Sequence, residues 1–235
     1  MSDDDPLPRA LEMLWREAPP AHRTRGLNRE LIVAAAIELA DTDGLGALSM
    51  ARLAERLGCG TMSLYRHIAN KDELVTFMVS AGPGPPPAPN DRADWRGALK
   101  DWAAGIWDVY HRHPWILRTP SEGPPADPGQ LAWLDAGLAA LGGTGLAERD
   151  KMAAVMAVLH FARGAAALDI EVGHVGIQDY PALLRRLVDA DRFPALAAAL
   201  AAGVFDNENE DPQAEFNSGL RRLLDGIGVL IEEST

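Results

Sequence analysis

Between Gly82 and Pro89 the chain carries Pro83, Pro85, Pro86 and Pro87, a run that can enter neither a helix interior nor a sheet ladder. On both sides of it, apolar residues recur at helical spacing and no convincing strand pattern occurs. The break therefore predicts an all-α chain in two parts, with residues 82–93 as a proline-rich linker. Before it lies a small helical head, residues 28–81; beyond it lies a larger helical body, residues 94–235. Residues 1–27, with Pro6, Pro8, Pro19 and Pro20 and scattered charge, read as a flexible N-terminal arm holding at most a short helical turn near Leu11 to Trp15.

In the head, Asn28 can cap a first helix in which Ile32, Ala35, Ala36, Leu39 and Ala40 share one face until Gly44 stops the run. Ser49 can cap a second, which turns Leu53, Ala54 and Leu57 inward and ends at Gly58. A third is expected over Thr61 to Ile68. A fourth starts at Asn70-Lys71-Asp72 and runs to about Ser80. Residues 49–68 thus have the proportions of a helix-turn-helix motif, with a glycine-containing turn at Gly58-Cys59-Gly60.

The net charge of −12 is unusual for a DNA-binding chain, so its distribution matters. From His22 to Lys71, seven bases stand against five acids, leaving the rest of the chain more acidic still. A mildly positive head on an acidic body would turn one face toward phosphates. On the third helix, Leu64 and Ile68 share the face that can pack on Leu53 and Leu57. The opposite face carries Met62, Ser63 and Arg66, flanked by Thr61, Tyr65 and His67. Arg66 can fork onto a guanine, Ser63 and Thr61 offer hydroxyls, and Met62 suits a thymine methyl. Tyr65, His67 and Lys71 suit phosphates, and Ser49 and Arg52 complete the expected DNA-contacting set. Plainer roles stand beside these: Thr61 as a cap, Met62 as a surface residue, His67 as packing against the fourth helix. Cys59 can simply fill the turn, and Arg23, Arg25 and Arg29 either reach the duplex or stay solvated.

The segment Gly58-Cys59-Gly60-Thr61-Met62-Ser63-Leu64-Tyr65-Arg66-His67-Ile68, followed by Asn70-Lys71-Asp72-Glu73-Leu74, closely resembles the tetracycline-repressor (TetR/AcrR) family of regulators. The resemblance covers about residues 28–80 in specific motifs and the remainder in helical character and length. It implies a sequence-specific DNA-binding regulator, usually a repressor, that binds a double-stranded palindromic operator as a homodimer and leaves it when a small apolar effector enters the body. It also implies phosphate contacts from the Tyr, His and Lys positions.

Body helices are expected over Trp95–His111, Gln130–Leu141, Ala147–Ile170, Asp179–Asp189, Pro194–Val204 and Gln213–Glu232. A single helix-turn-helix reads few base pairs, so two heads on a twofold axis are needed. The helices over 147–170 and 213–232 have the length and apolar width for an intersubunit four-helix bundle, and the resemblance implies that pairing; closing the monomer core is the alternative. Trp102, Ile106 and Tyr110, facing Trp133, Met156, His160 and Phe161, could line an apolar effector cavity, with His160 and Arg163 as polar groups in need of partners. Ordinary core packing accounts for the same residues.

Other functions find less support. His111 and His113, two apart on a helix, diverge and make no metal site. Gly58-Cys59-Gly60 follows a helix rather than a strand, so no dinucleotide cofactor is expected, and no nucleophile-elbow pattern occurs. A ligand-independent DNA-binding regulator or activator is the main rival, and an all-helical enzyme a more distant one. The single cysteine, the acidic start without an apolar run, and a longest alanine-rich stretch of only Phe193 to Phe205 predict a cytoplasmic protein without a membrane span.

Overall fold

The computed structural model describes residues 7–16, 26–88, 94–119, 124–174, 180–206 and 211–234. Among them it contains α-helices, short 3-10 segments and no strand. The helices are α1 (Arg9–Trp15), α2 (Arg29–Asp43), α3 (Met50–Arg56), α4 (Thr61–Leu64), α5 (Lys71–Ala81), α6 (Trp95–Arg112), α7 (Pro128–Ala140), α8 (Glu148–His174), α9 (Tyr180–Leu187), α10 (Pro194–Ala201) and α11 (Pro212–Glu233).

The starts of the head helices follow their caps. The side chain of Asn28 accepts from Leu31 N at 2.8 Å, that of Ser49 from Arg52 N at 3.2 Å, and that of Asn70 from Glu73 N at 2.8 Å. Each meets one of the orphan N–H groups of a first turn. Gly44 and Gly58 take φ of +79° and +64°, a region where a side chain would be strained, and so end α2 and redirect the chain after α3. The apolar faces of α2, α3, α4 and α5 then close one core, in which Ile32, Leu53, Leu64, Ile68 and Leu74 are wholly buried.

Two elements outside the sequence-defined head join it. Helix α1, within the stretch read as an arm, lays Ala10, Met13 and Leu14 on the head core. Its Arg9 grips the buried Glu73 carboxylate at 2.9 Å, and Trp15 Nε1 donates to the Ala126 carbonyl of the body at 2.9 Å. Arg23 and Arg25, read as either reaching the duplex or staying solvated, lie outside the described residues. Trp115, in the 3-10 segment Pro114–Arg118 that follows α6, also packs into the head core.

The body core is built on α6, α7, α8 and α11. Trp107 on α6 stacks on Phe216 of α11 with centroids 4.5 Å apart, and Phe216 on Phe161 of α8 at 5.6 Å. The longest apolar helix is α8 rather than the 193–205 stretch: residues Glu148–Glu171, mean hydropathy 1.5, are long and apolar enough to cross a bilayer by length and composition. Here α8 packs against α6, α7 and α11, and much of its remaining apolar side faces outward.

Candidate nucleic-acid interface and effector cavity

The third helix of the head divides by side as its spacing predicts. Leu64 and Ile68 are fully buried, whereas Met62 is 73% and Tyr65 46% exposed. Thr61 and Arg66 are exposed as well, and Ser63 and His67 are half-buried. Only Thr61–Leu64 is regular α-helix. The chain continues as a hydrogen-bonded turn, with Tyr65 N donating to Thr61 O and Ile68 N to Leu64 O, so the outer side chains still form one continuous ridge. Lys71 is exposed on the first turn of α5, where free N–H groups and the helix dipole favour an anion.

The two remaining residues of the expected set have internal partners. Arg52 forms a 2.8 Å ion pair with Asp43 at the end of α2. Ser49 uses its oxygen lone pairs as the α3 cap, which leaves the hydroxyl proton free to donate.

A cavity of about 270 Å³ opens in the body beneath the head. Trp102, Ile106 and Tyr110 of α6, Trp133 of α7, and Met156 and Arg163 of α8 line it, as the sequence predicts. Two predicted lining residues do not. His160 points to solvent, and Phe161 turns toward α11, where its ring would lie 2.6 Å from a Cβ added at Gly219. The cause is helical rotation: Met156, Leu159 and Arg163 fall within one turn-wide stripe of α8, while residues 160 and 161 advance progressively around the axis, away from it. His160, being exposed, needs no protein partner.

Residues from distant elements complete the wall: Val79 of α5, Pro83 of the proline run, Ile116 and Thr119 after α6, and Gln130 of α7. No spacing rule links them to α6 or α8, although Val79 extends the apolar face of α5. The indole N–H groups are already used, Trp102 donating to the Trp133 carbonyl at 2.7 Å and Trp133 to the Gly84 carbonyl at 2.9 Å. The indoles therefore offer ring faces to the cavity. The Arg163 guanidinium sits 5.9 Å from the centre of the Tyr110 ring. Burial pushes the Tyr110 phenol above the ordinary tyrosine value of 10.0, with the Arg163 charge opposing.

Head and cavity meet at α5. Ser80 Oγ accepts from Gly129 N at 3.3 Å, and a Cβ at Gly129 would fall 1.9 Å from the Ser80 carbonyl oxygen, so α5 and the start of α7 touch backbone to backbone. Among the described residues no group of three or more His, Cys, Asp or Glu could hold a metal ion.

Residues 32–76 match the bacterial regulatory proteins of the tetR family, and residues 87–231 match the tetracyclin repressor-like C-terminal domain. The transcriptional repressor DrrR1 of Streptomyces coeruleorubidus is 30% identical over 239 residues, covering 96% of this chain and 87% of the relative. The class C tetracycline repressor protein of Escherichia coli is 29% identical over 205 residues, covering 86% and 90%. Among solved structures, the Streptomyces coelicolor TetR family protein ActR in complex with actinorhodin superposes with a TM-score of 0.74 at 23% identity, over 90% of this chain and all of the other. With a helix-turn-helix head matching one family region and a helical body matching the other, this chain belongs to the TetR family of DNA-binding transcriptional regulators.

Proposed function

We propose that the protein is a homodimeric repressor that holds a palindromic operator through its two third helices and releases it when a small molecule fills the body cavity. The observation that carries the reading is the division of the Thr61–Ile68 ridge, anchored by two fully buried side chains while Met62, Ser63, Tyr65 and Arg66 remain accessible. Arg66 and Met62 read bases; Tyr65, His67 and Lys71 hold phosphates. Arg52 joins them only by exchanging its Asp43 partner for a phosphate. The site of action is the cytoplasm, where the operator DNA is.

Dimerisation uses the outer sides of α8 and α11. Ala153, Ala157, Gly164 and Leu168 follow one stripe of α8, and Gly226, Val229 and Leu230 extend an exposed apolar surface on α11. Added Cβ atoms at Gly164 and Gly226 would meet nothing within 4 Å, so this side has room for two further helices to approach closely.

The cavity favours an effector-responsive regulator over a ligand-independent one, because a filled core would leave no such space. Its wall includes Val79, the residue next to Ser80 of the Ser80–Gly129 contact. An occupant that prefers one position of α5 would shift the equilibrium between head spacings by its difference in affinity. The repressor relative supports repression, and the ActR structure holding actinorhodin supports a small-molecule occupant.

Selection of binding sites from random duplexes by the purified full-length protein tests this. A twofold-symmetric consensus with half-sites about one helical turn apart is expected. Enrichment of no common sequence would overturn the regulator reading.

A further inference from the structure

We propose that Arg9 is a positioning residue for DNA recognition: from α1, through the buried carboxylate of Glu73, it fixes the end of the Thr61–Ile68 ridge against the start of α5. The proposal rests on that ridge being the DNA face. Helix α1 precedes residues 32–76, which match the family's regulatory region, so the family match does not reach this contact.

Glu73 ties the ridge to α5. Its N–H donates to Asn70 Oδ1 at 2.8 Å, and its carboxylate reaches back to accept from the N–H of Ala69, the residue after Ile68. The pattern is that of a capping box with asparagine as the cap, its carboxylate reaching one residue further back. Lys71 lies within the box, between Asn70 and Glu73. One carboxylate thus sets both the exit of the base-reading residues and the place of a phosphate-holding one.

That carboxylate depends on Arg9. The Glu73 side chain is only 6% exposed, and among the described residues Arg9 is its one ion-pair partner. Arg9 Nη1 lies 2.9 Å from each of the two oxygens. A carboxylate held out of water needs a counter-charge. Without Arg9, the side chain gains by rotating toward solvent, and Ala69 N loses its acceptor.

Helix α1 is itself fastened so that Arg9 keeps its place. Ala10, Met13 and Leu14 pack on the head core. Arg29 Nη1 donates to the Met13 carbonyl at 3.1 Å, near the end of α1, where a cation suits the helix dipole. The same guanidinium lies 5.3 Å from the centre of the Phe77 ring on α5. Arg29, which the sequence left either on the duplex or solvated, is instead engaged with α1. Trp15 fastens the far end of α1 to the Ala126 carbonyl of the body.

The test is fluorescence anisotropy of the full-length protein with the duplex that the wild type selects, over a salt series. Arg9→Ala is expected to weaken binding about tenfold with the salt slope unchanged, whereas a lost phosphate contact would lower that slope by about one. Amide hydrogen exchange should quicken over residues 66–73 and stay unchanged in the body helices. Arg9→Lys should bind as the wild type does, since a single nitrogen already bridges both oxygens. In a Glu73→Gln background the amide oxygen still accepts from Ala69 and no charge needs holding, so Arg9→Ala should have no further effect. Wild-type affinity in Arg9→Ala, a lowered salt slope, or an equal loss in the Glu73→Gln background would overturn the positioning role and leave the DNA face standing. Selection of no common duplex by the wild type would overturn the DNA-face reading and this role together.

Discussion

His113 and Asp41 join the two parts of the molecule: the imidazole Nδ1 lies 2.7 Å from Asp41 Oδ1, with His113 at the end of α6 in the body and Asp41 in the last turn of α2 in the head. The same carboxylate oxygen accepts from Trp115 Nε1 at 2.7 Å. One head carboxylate therefore satisfies two ring N–H groups carried on the turn after α6, and that turn also contributes Ile116 and Thr119 to the cavity. Asp41→Ala would leave His113 and Trp115, both buried, without that acceptor. Chemical denaturation should record a loss of about 1–3 kcal/mol, with Asp41→Asn milder because its amide oxygen still accepts.

At the DNA face, Arg66→Ala should weaken operator binding by about 1–3 kcal/mol and relax the preference at one base position, because a guanidinium forked onto a base edge carries sequence information. Lys71→Ala should instead lower affinity evenly across sequences and reduce the salt dependence. Competition binding on the selected site and its single-base variants distinguishes the two. An unchanged preference in Arg66→Ala removes that residue from the readers.

The contact between Ser80 and Gly129 leaves no room for a methyl group, since the obstacle is backbone rather than the end of a flexible side chain. Gly129→Ala should force α5 and α7 apart and destabilise the protein by about 1–3 kcal/mol. The denaturation midpoint should fall, and operator affinity should change with it because α5 carries Lys71 at its other end.

Tyr110 gives a pH signature. Its folded-state value lies above the ordinary 10.0, so the native state holds the phenolic proton more tightly than the unfolded chain. That contribution is complete below pH 10 and is lost as pH rises through the folded value. Ultraviolet titration should show a tyrosine step above the ordinary range, and Tyr110→Phe should remove that step and flatten the alkaline decline in stability.

Much of the candidate DNA face was readable one helix at a time. The spacing of Leu64 and Ile68 implied an inner side, and Met62, Ser63 and Arg66 followed as the outer one. The cavity was partly readable for the same reason, since Trp102, Ile106 and Tyr110 share a side of α6. The choice of His160 and Phe161 failed because membership of an apolar helix does not say which neighbour each side faces. α8 has α6 and α7 on one side and α11 on another, and Phe161 belongs to the second.

Local chemistry by itself determined where the head helices begin, where glycine turns the chain, and which side of each helix is apolar, because caps, φ preferences and a 3.6-residue period act over a few residues. The packed structure alone decided that Trp115 belongs to the head core, that α1 grips Glu73, that Asp41 meets His113, and that Val79 and Arg163 share one cavity wall. Those pairs lie far apart along the chain. Their proximity depends on how whole helices cross, which nearest-neighbour spacing does not encode.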